Sequence, residues 1–233
     1  MEQKISSEEM CEKKKLKESK EKKSKLINKH QIIVNGPHII LDMNWSHFMN
    51  ENQMSNVITQ ITFFYAANKK AIKSLPIICT SVDRIWDSLF NEEKRPNWDQ
   101  KYITFTEQSF LDIIPHDKLV YLSPDSKNFC SEFNPEKYYI VGCFIDHNSH
   151  KNATENWAKK YGIQTEAFPI SQYITKEGSF TLPINQSCEI ILKRVNGESW
   201  VQTFMETISP RFNPQPIKQA DPPKSVFSIC QIS

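Results

Sequence analysis

Short apolar runs and longer stretches of helical spacing take turns along the middle of the chain. Residues 38–43 (HIILDM) form a compact run of the kind that makes a buried strand. Met54, Val57, Ile58, Ile61, Phe64 and Tyr65 then recur three and four apart, which predicts an amphipathic helix over 51–72. Pro76 stops it, and residues 77–80 (IICT) read as the next strand. Residues 91–106 are polar, contain Pro96 and read as a loop. Residues 118–123 (KLVYLS) and 138–145 (YYIVGCFI) read as two further strands, the second the strongest in the chain. A helix over 154–161 with Gly162 as its C′ residue, a strand over 163–170, and helices over 185–195 and 199–208 complete the set. Continuous apolar strands alternating with helices imply a mostly parallel sheet covered on both faces, an α/β fold. Ligands of such sheets sit beyond the carboxyl ends of the strands, which draws attention to the residues after 122, 145 and 168.

Composition narrows the chemistry. The chain has 233 residues, enough for one domain with tails. Its 5 glycines are so spread that neither G-x-G-x-x-G nor G-x-x-x-x-G-K-[ST] can be written, which excludes the usual dinucleotide and P-loop phosphate cradles. The 6 cysteines form no C-x-x-C pair, so zinc knuckles and dithiol redox sites are not expected. Cys79, Cys143 and Cys188 lie in apolar runs and read as small hydrophobes. No run is long enough to span a membrane. No secretory leader is visible, and the acidic residues near the start argue against a transit peptide. The expected location is therefore the nucleus or cytoplasm.

Charge is unevenly placed. The net +2 divides into a basic stretch over 1–30, with ten Lys against six Glu, and a slightly acidic remainder. Residues 1–30 read as a disordered or loosely helical Lys-rich arm, either solubilising or adhesive. Residues 37–210 read as the folded domain, and 211–233 as a Pro-rich extended tail.

The strongest strand runs directly into Asp146, within the sequence IDHNSH. A carboxylate at that position is placed to act on a ligand as a general base, or to cap the next turn. His147 and His150 form an H-x-x-H pair without a third ligand, and read as turn residues rather than a metal site.

Several segments in the same order resemble the tRNA position-9 N1-methyltransferases, S-adenosylmethionine-dependent enzymes of the SPOUT class. They are IILDMNWSHFM, ITQITFFYAANKKA, NW at 97–98, KLVYLSPDS, DHNSHK, YGIQTEAFPISQY and LPINQSCEIIL. The similarity covers about residues 38–210. It implies a SPOUT fold, a mostly parallel sheet flanked by helices whose C-terminal part is threaded into a deep trefoil knot, in a monomer. It also implies S-adenosylmethionine as cofactor, tRNA as partner, and no metal or membrane. The cofactor loops map onto Leu122, Gly142, Asp146, His147, Asn148, Ser149, His150, Thr154, Phe168, Phe180, Thr181 and Leu182. Asp146 corresponds to the family's proposed base for the N1 proton of guanine. The alternative is a catalytically weak SPOUT-like scaffold that binds RNA or a partner.

Substrate binding needs positive surface. Gln60 and Lys69 match family positions associated with tRNA contact. Lys73 lies four residues after Lys69 and is expected on the same helix face, where cations also suit a helix carboxyl end. Arg84, Lys94, Arg95, Lys151, Lys159 and Lys160 add charge nearby, while Trp86 and Trp98 read as packing residues rather than base-stacking platforms. The chain departs from the family pattern at Phe63, where Arg is usual, at Ser179 and Phe180, where a basic pair is common, and at Cys143 and Pro183. The arm is therefore expected to supply much of the electrostatic grip.

Overall fold

A computed structural model describes residues 32–33, 35–91, 98–145 and 152–217. The Lys-rich arm, Lys94, Arg95, Asn97, the run Asp146 to Lys151, and the tail beyond 217 lie outside the described residues.

Six strands make the central sheet: β1 His38–Asp42, β2 Ile77–Thr80, β3 Ile103–Phe105, β4 Leu119–Leu122, β5 Tyr138–Gly142 and β6 Gln164–Glu166. Their order is β3-β2-β1-β5-β4-β6, and every pairing is parallel. Five longer helices cover it: α1 Glu51–Lys70, α2 Arg84–Asn91, α3 Ala153–Lys160, α4 Ile184–Val195 and α5 Trp200–Thr207. Successive strand side chains point to opposite faces. Ile39, Leu41, Val120 and Val141 face the larger core, packed by α1 and α4. Ile40, Leu119, Tyr121 and Ile140 face a smaller one, closed by Phe110 and α3. The apolar runs read as strands therefore bury both faces.

Local chemistry sets the ends of α1. Asn50 and Gln53 form a capping box at its start, each side chain accepting from the other's backbone N–H. At its end, Asn68 is wholly buried and satisfies both backbone groups of Leu75, donating 2.8 Å to its carbonyl and accepting 2.8 Å from its N–H. The chain therefore leaves the helix at Lys70 rather than at 72. Lys73 falls in a short strand, Lys73–Ser74, paired with Ile32–Ile33, so the expectation that Lys69 and Lys73 share a helix face is corrected.

Three other boundaries differ from the sequence reading. The polar stretch 91–106 contains β3, an edge strand whose three residues pair with Ile77, Ile78 and Cys79. Its length is too short for an alternation to show. The run 138–145 stops pairing at Gly142, beyond which the chain must leave the sheet to form a wall of the site described below. The run 163–170 is strand only over β6, because Pro169 opens a one-turn helix, Ile170–Tyr173. Gly162 has φ +66, the left-handed conformation expected after α3. Cys79, Cys143 and Cys188 are fully buried free thiols. No helix among the described residues is long and apolar enough to cross a membrane.

Candidate functional site

The carboxyl ends of β5, β4 and β6 lie side by side, and the segments leaving them enclose a cavity of about 540 Å³. That is the size of a site for a small organic ligand. Leu122, Gly142 and Phe168 reach it from the strand ends, Thr154 from the first turn of α3, and Phe180, Thr181 and Leu182 from the segment entering α4. The fold thus brings together seven positions that lie up to sixty residues apart in sequence.

Backbone hydrogen bonds fix the walls. The Ser123 N–H donates to the Glu166 carbonyl (2.9 Å), and the Ala167 N–H donates to the Asn128 carbonyl (2.7 Å). The Cys130 N–H donates to the Ala167 carbonyl (2.9 Å), so the loop after β4 is laced onto the end of β6. The Thr154 hydroxyl donates to Ser123 Oγ at 2.9 Å and ties α3 to the same loop. Further along the chain, Gln215–Pro216 pair antiparallel with Ile174–Thr175. Lys176 Nζ sits over the rings of Phe180 (5.0 Å) and Phe212 (4.7 Å), and donates to the carbonyls of Glu177 and Ser179. Burial of the ammonium lowers its pKa. The first residues of the Pro-rich stretch therefore strap the loop that carries Phe180.

The lining is apolar with hydroxyls and two carboxylates, Asp125 and Glu166. Among the described residues no Lys, Arg or His lines it. Such a cavity repels phosphate and suits a neutral or cationic ligand with a flat apolar part. No group of three or more potential metal ligands occurs among the described residues.

Behind the cavity wall lies a polar cluster that the sequence reading missed. Asp42 closes β1 and pairs in register with Gly142. Its carboxylate is wholly buried and accepts from the Asn44 N–H (3.1 Å), Trp45 Nε1 (3.1 Å) and the Tyr121 hydroxyl (2.9 Å). Burial pushes its pKa up to about 6, against the lowering effect of those three hydrogen bonds. The Tyr121 hydroxyl also stands 2.9 Å from where a Cβ at residue 142 would lie, with Thr154 Cγ2 at 3.3 Å and Trp45 Nε1 at 3.4 Å. The available signal was an acidic residue closing an otherwise apolar strand, the same signal that singled out Asp146.

The remaining candidates scatter. Asp146, His147, Asn148, Ser149 and His150 are outside the described residues. Ile145, which precedes them, is anchored to the α1 start: its N–H points at Met49 Sδ (3.4 Å), and its carbonyl accepts from Gln53 Nε2 (3.3 Å). The Gln60 side-chain oxygen accepts from the Ile184 N–H at 2.7 Å, so it caps α4 beside Leu182. Lys69 lies over the Tyr65 ring, away from the cavity lining. Phe63 is 60% exposed on α1. Trp86 is buried and donates to the Met43 carbonyl at 2.8 Å, and Trp98 stacks on Phe105. Both pack rather than present faces to solvent.

Comparison with known proteins bears on this geometry. The family model "tRNA (guanine(9)-N(1))-methyltransferase TRM10/TRM10A" matches residues 1–213. A tRNA (guanine(9)-N1)-methyltransferase of Schizosaccharomyces pombe is 30% identical over 80% of this chain and 62% of its own length. The tRNA methyltransferase 10 homolog A of Homo sapiens is 27% identical over 78% of this chain and 54% of its own length. The chain thus spans less than two thirds of the length of these curated relatives. Among solved structures, the full-length spTrm10–SAH complex superposes with a TM-score of 0.67 at 29% identity, covering 77% of this chain and 98% of that one. A dual-specific Trm10 from Thermococcus kodakaraensis shares the fold, with a TM-score of 0.56 at 17% identity.

Proposed function

The chain belongs to the TRM10/TRM10A family of tRNA (guanine(9)-N(1))-methyltransferases, and from that premise we propose that it transfers a methyl group from S-adenosylmethionine to N1 of guanine at position 9 of tRNA. The single observation that carries the reading is the cavity at the ends of β4, β5 and β6. It gathers Leu122, Gly142, Thr154, Phe168, Phe180, Thr181 and Leu182, and it holds carboxylates but no cations among its described lining. That donor set fits a cationic methyl donor with an adenine ring and rejects a phosphate-bearing one. The bare wall at Gly142 fits as well, since a Cβ there would intrude on a tightly packed surface. S-adenosylmethionine, when bound, supplies an electrophilic methyl group.

The chain's own residues hold and align. Leu122, Phe168 and Leu182 offer apolar contact to an adenine face, and Ser123 and Thr154 bring hydroxyls to the same lining. Glu166, half-buried at the end of β6, offers an acceptor to ribose hydroxyls. Guanine N1 carries a proton that must leave as the N1–C bond forms and the methyl–sulfur bond breaks. Asp146 takes that proton in this reading, because it follows the anchored Ile145 directly in sequence. Gln60 serves by fixing Ile184 and so the wall that carries Leu182, while Lys69, Lys73 and the Lys-rich arm supply positive charge for the tRNA backbone. The threaded C-terminal part implied by the family resemblance belongs to the same reading. So do a monomeric state, tested by light scattering, and a nuclear or cytoplasmic location, tested by imaging a tagged chain.

Mass analysis of nucleosides from tRNA incubated with the protein and S-adenosylmethionine tests the activity. N1-methylguanosine mapping to position 9 is expected. Cofactor binding without methylation would return the chain to the scaffold alternative, and binding of neither cofactor nor tRNA would sink both.

A further inference from the structure

Asp42 is the one fully buried carboxylate among the described residues, and nothing in the chemistry above uses it. Its position is specific. The Tyr121 hydroxyl lies between two neighbours, 2.9 Å from Asp42 Oδ2 on one side and 2.9 Å from the Cβ position of Gly142 on the other. Gly142 and the start of α3 are cavity wall. A side chain at 142 would press into the Tyr121 hydroxyl, Thr154 Cγ2 and Trp45 Nε1, so glycine lets this stretch of cavity wall lie directly against the cluster. Trp45 Nε1 donates to both Asp42 Oδ2 (3.1 Å) and the Tyr121 hydroxyl (3.2 Å), which orients the tyrosine to donate toward the carboxylate.

The reading of the cavity as a methyl-donor site is the base of the next step. The donor carries a sulfonium, and the product left after transfer is a neutral thioether. The two ligands share every other group, including the amino acid and the adenosine. We propose that the buried Asp42 carboxylate, set behind Gly142 by Tyr121 and Trp45, is the counter-charge that makes this cavity prefer the sulfonium donor over its neutral product. A charge in this position acts through protein rather than water, so its field reaches the cavity with little screening. Asp125 and Glu166 also face the cavity, but from its solvent side, where screening is stronger. The preference would help product leave without an opening motion, because transfer itself removes the attraction.

The surroundings make the test clean. The groups that face Asp42 are Tyr121 from β4, Cys143 after β5 and, one layer on, Cys79 from β2 and Cys188 from α4. Burial pushes all four pKa values upward, so they stay neutral across the range used. On α3, Glu155 is paired with Lys159. Burial holds Asp42 at about 6, so its charge appears within an accessible window.

Calorimetry would measure the affinity of the full chain for S-adenosylmethionine and for S-adenosylhomocysteine from about pH 5 to about pH 8. The readout is the ratio of the two affinities, in which titrations common to both ligands cancel. The expected ratio rises on the order of tenfold in favour of the sulfonium as pH increases through about 6, and Asp42→Asn flattens it. Tyr121→Phe keeps the carboxylate but removes a hydrogen bond that lowers its pKa, so the pH dependence persists and moves to higher pH. A ratio that is constant with pH in the unmodified chain overturns the proposal, even if Asp42→Asn fails to fold. Equal weakening of both ligands by Asp42→Asn, with the pH dependence intact, also overturns it by reducing Asp42 to a packing role. Failure of both ligands to bind the unmodified chain overturns the methyl-donor reading beneath it instead.

Discussion

Gly142 is required by space rather than by backbone conformation, and this can be tested without any ligand. Its φ is not among the positive values found at Gly36, Gly162, Gly178 and Gly197, so an alanine has no torsional penalty there. The added Cβ would stand 2.9 Å from the Tyr121 hydroxyl, closer than two such atoms pack. The hydroxyl is the far end of a side chain, which usually moves cheaply. Here it cannot, because Tyr121 is wholly buried and its oxygen is held by Asp42 Oδ2 and Trp45 Nε1. Displacing it weakens a hydrogen bond to a buried carboxylate, an interaction worth about 1.5–3 kcal/mol. Overpacking adds about 1 kcal/mol. Gly142→Ala should therefore destabilise the fold by about 3 kcal/mol, lowering Tm by roughly 6–12 °C for a chain of this size. Tyr121→Phe alone loses the hydrogen bond, but it also removes the atom that clashes. In that background Gly142→Ala should cost less than about 1 kcal/mol, leaving a coupling of about 2 kcal/mol between the two sites. Urea titrations of the four proteins measure it. Additive losses would show that residue 142 is not read by the tyrosine hydroxyl.

Asn68→Ala removes both partners of the Leu75 backbone and should cost about 2–4 kcal/mol, seen as a lower urea midpoint, whereas Asn56→Ala on the exposed face of α1 should change stability by less than about 0.5 kcal/mol. The raised Asp42 pKa favours the protonated folded state, so its contribution to stability is complete below the ordinary carboxylate range and declines as pH rises through about 6. The unmodified chain should lose about 2–3 kcal/mol relative to Asp42→Asn between about pH 4 and about pH 7, measured by chemical denaturation at each pH. Asp146→Asn should lower guanine methylation by two or more orders of magnitude, roughly the range of general-base catalysis, while calorimetric cofactor affinity stays within about twofold. Removal of residues 1–30 should weaken tRNA binding and flatten its dependence on salt, and unchanged affinity at two ionic strengths would show that the arm takes no part.

Much of this protein was written into local pattern. The runs HIILDM, IICT, KLVYLS and YYIVGCFI name four of the six strands, because strands buried on both faces are apolar at most positions. The three- and four-residue spacing of Met54 to Tyr65 names α1, and family resemblance named seven of the residues that line the cavity. Local pattern reports burial along the chain, and that is all it reports. It could not show that β3 adds three residues to an edge, that Gln60 would cap a helix beginning 124 residues later, or that Lys73 would leave the helix that carries Lys69. The cluster of Asp42, Tyr121 and Gly142 was equally invisible. Each sits at or next to the end of a different strand, and only parallel register in the order β1-β5-β4 brings an acid, a hydroxyl and a missing side chain together. Sequence determined which segments are buried. Tertiary structure decided which buried polar groups meet, because register and sheet order bring together atoms whose separation along the chain carries no signal.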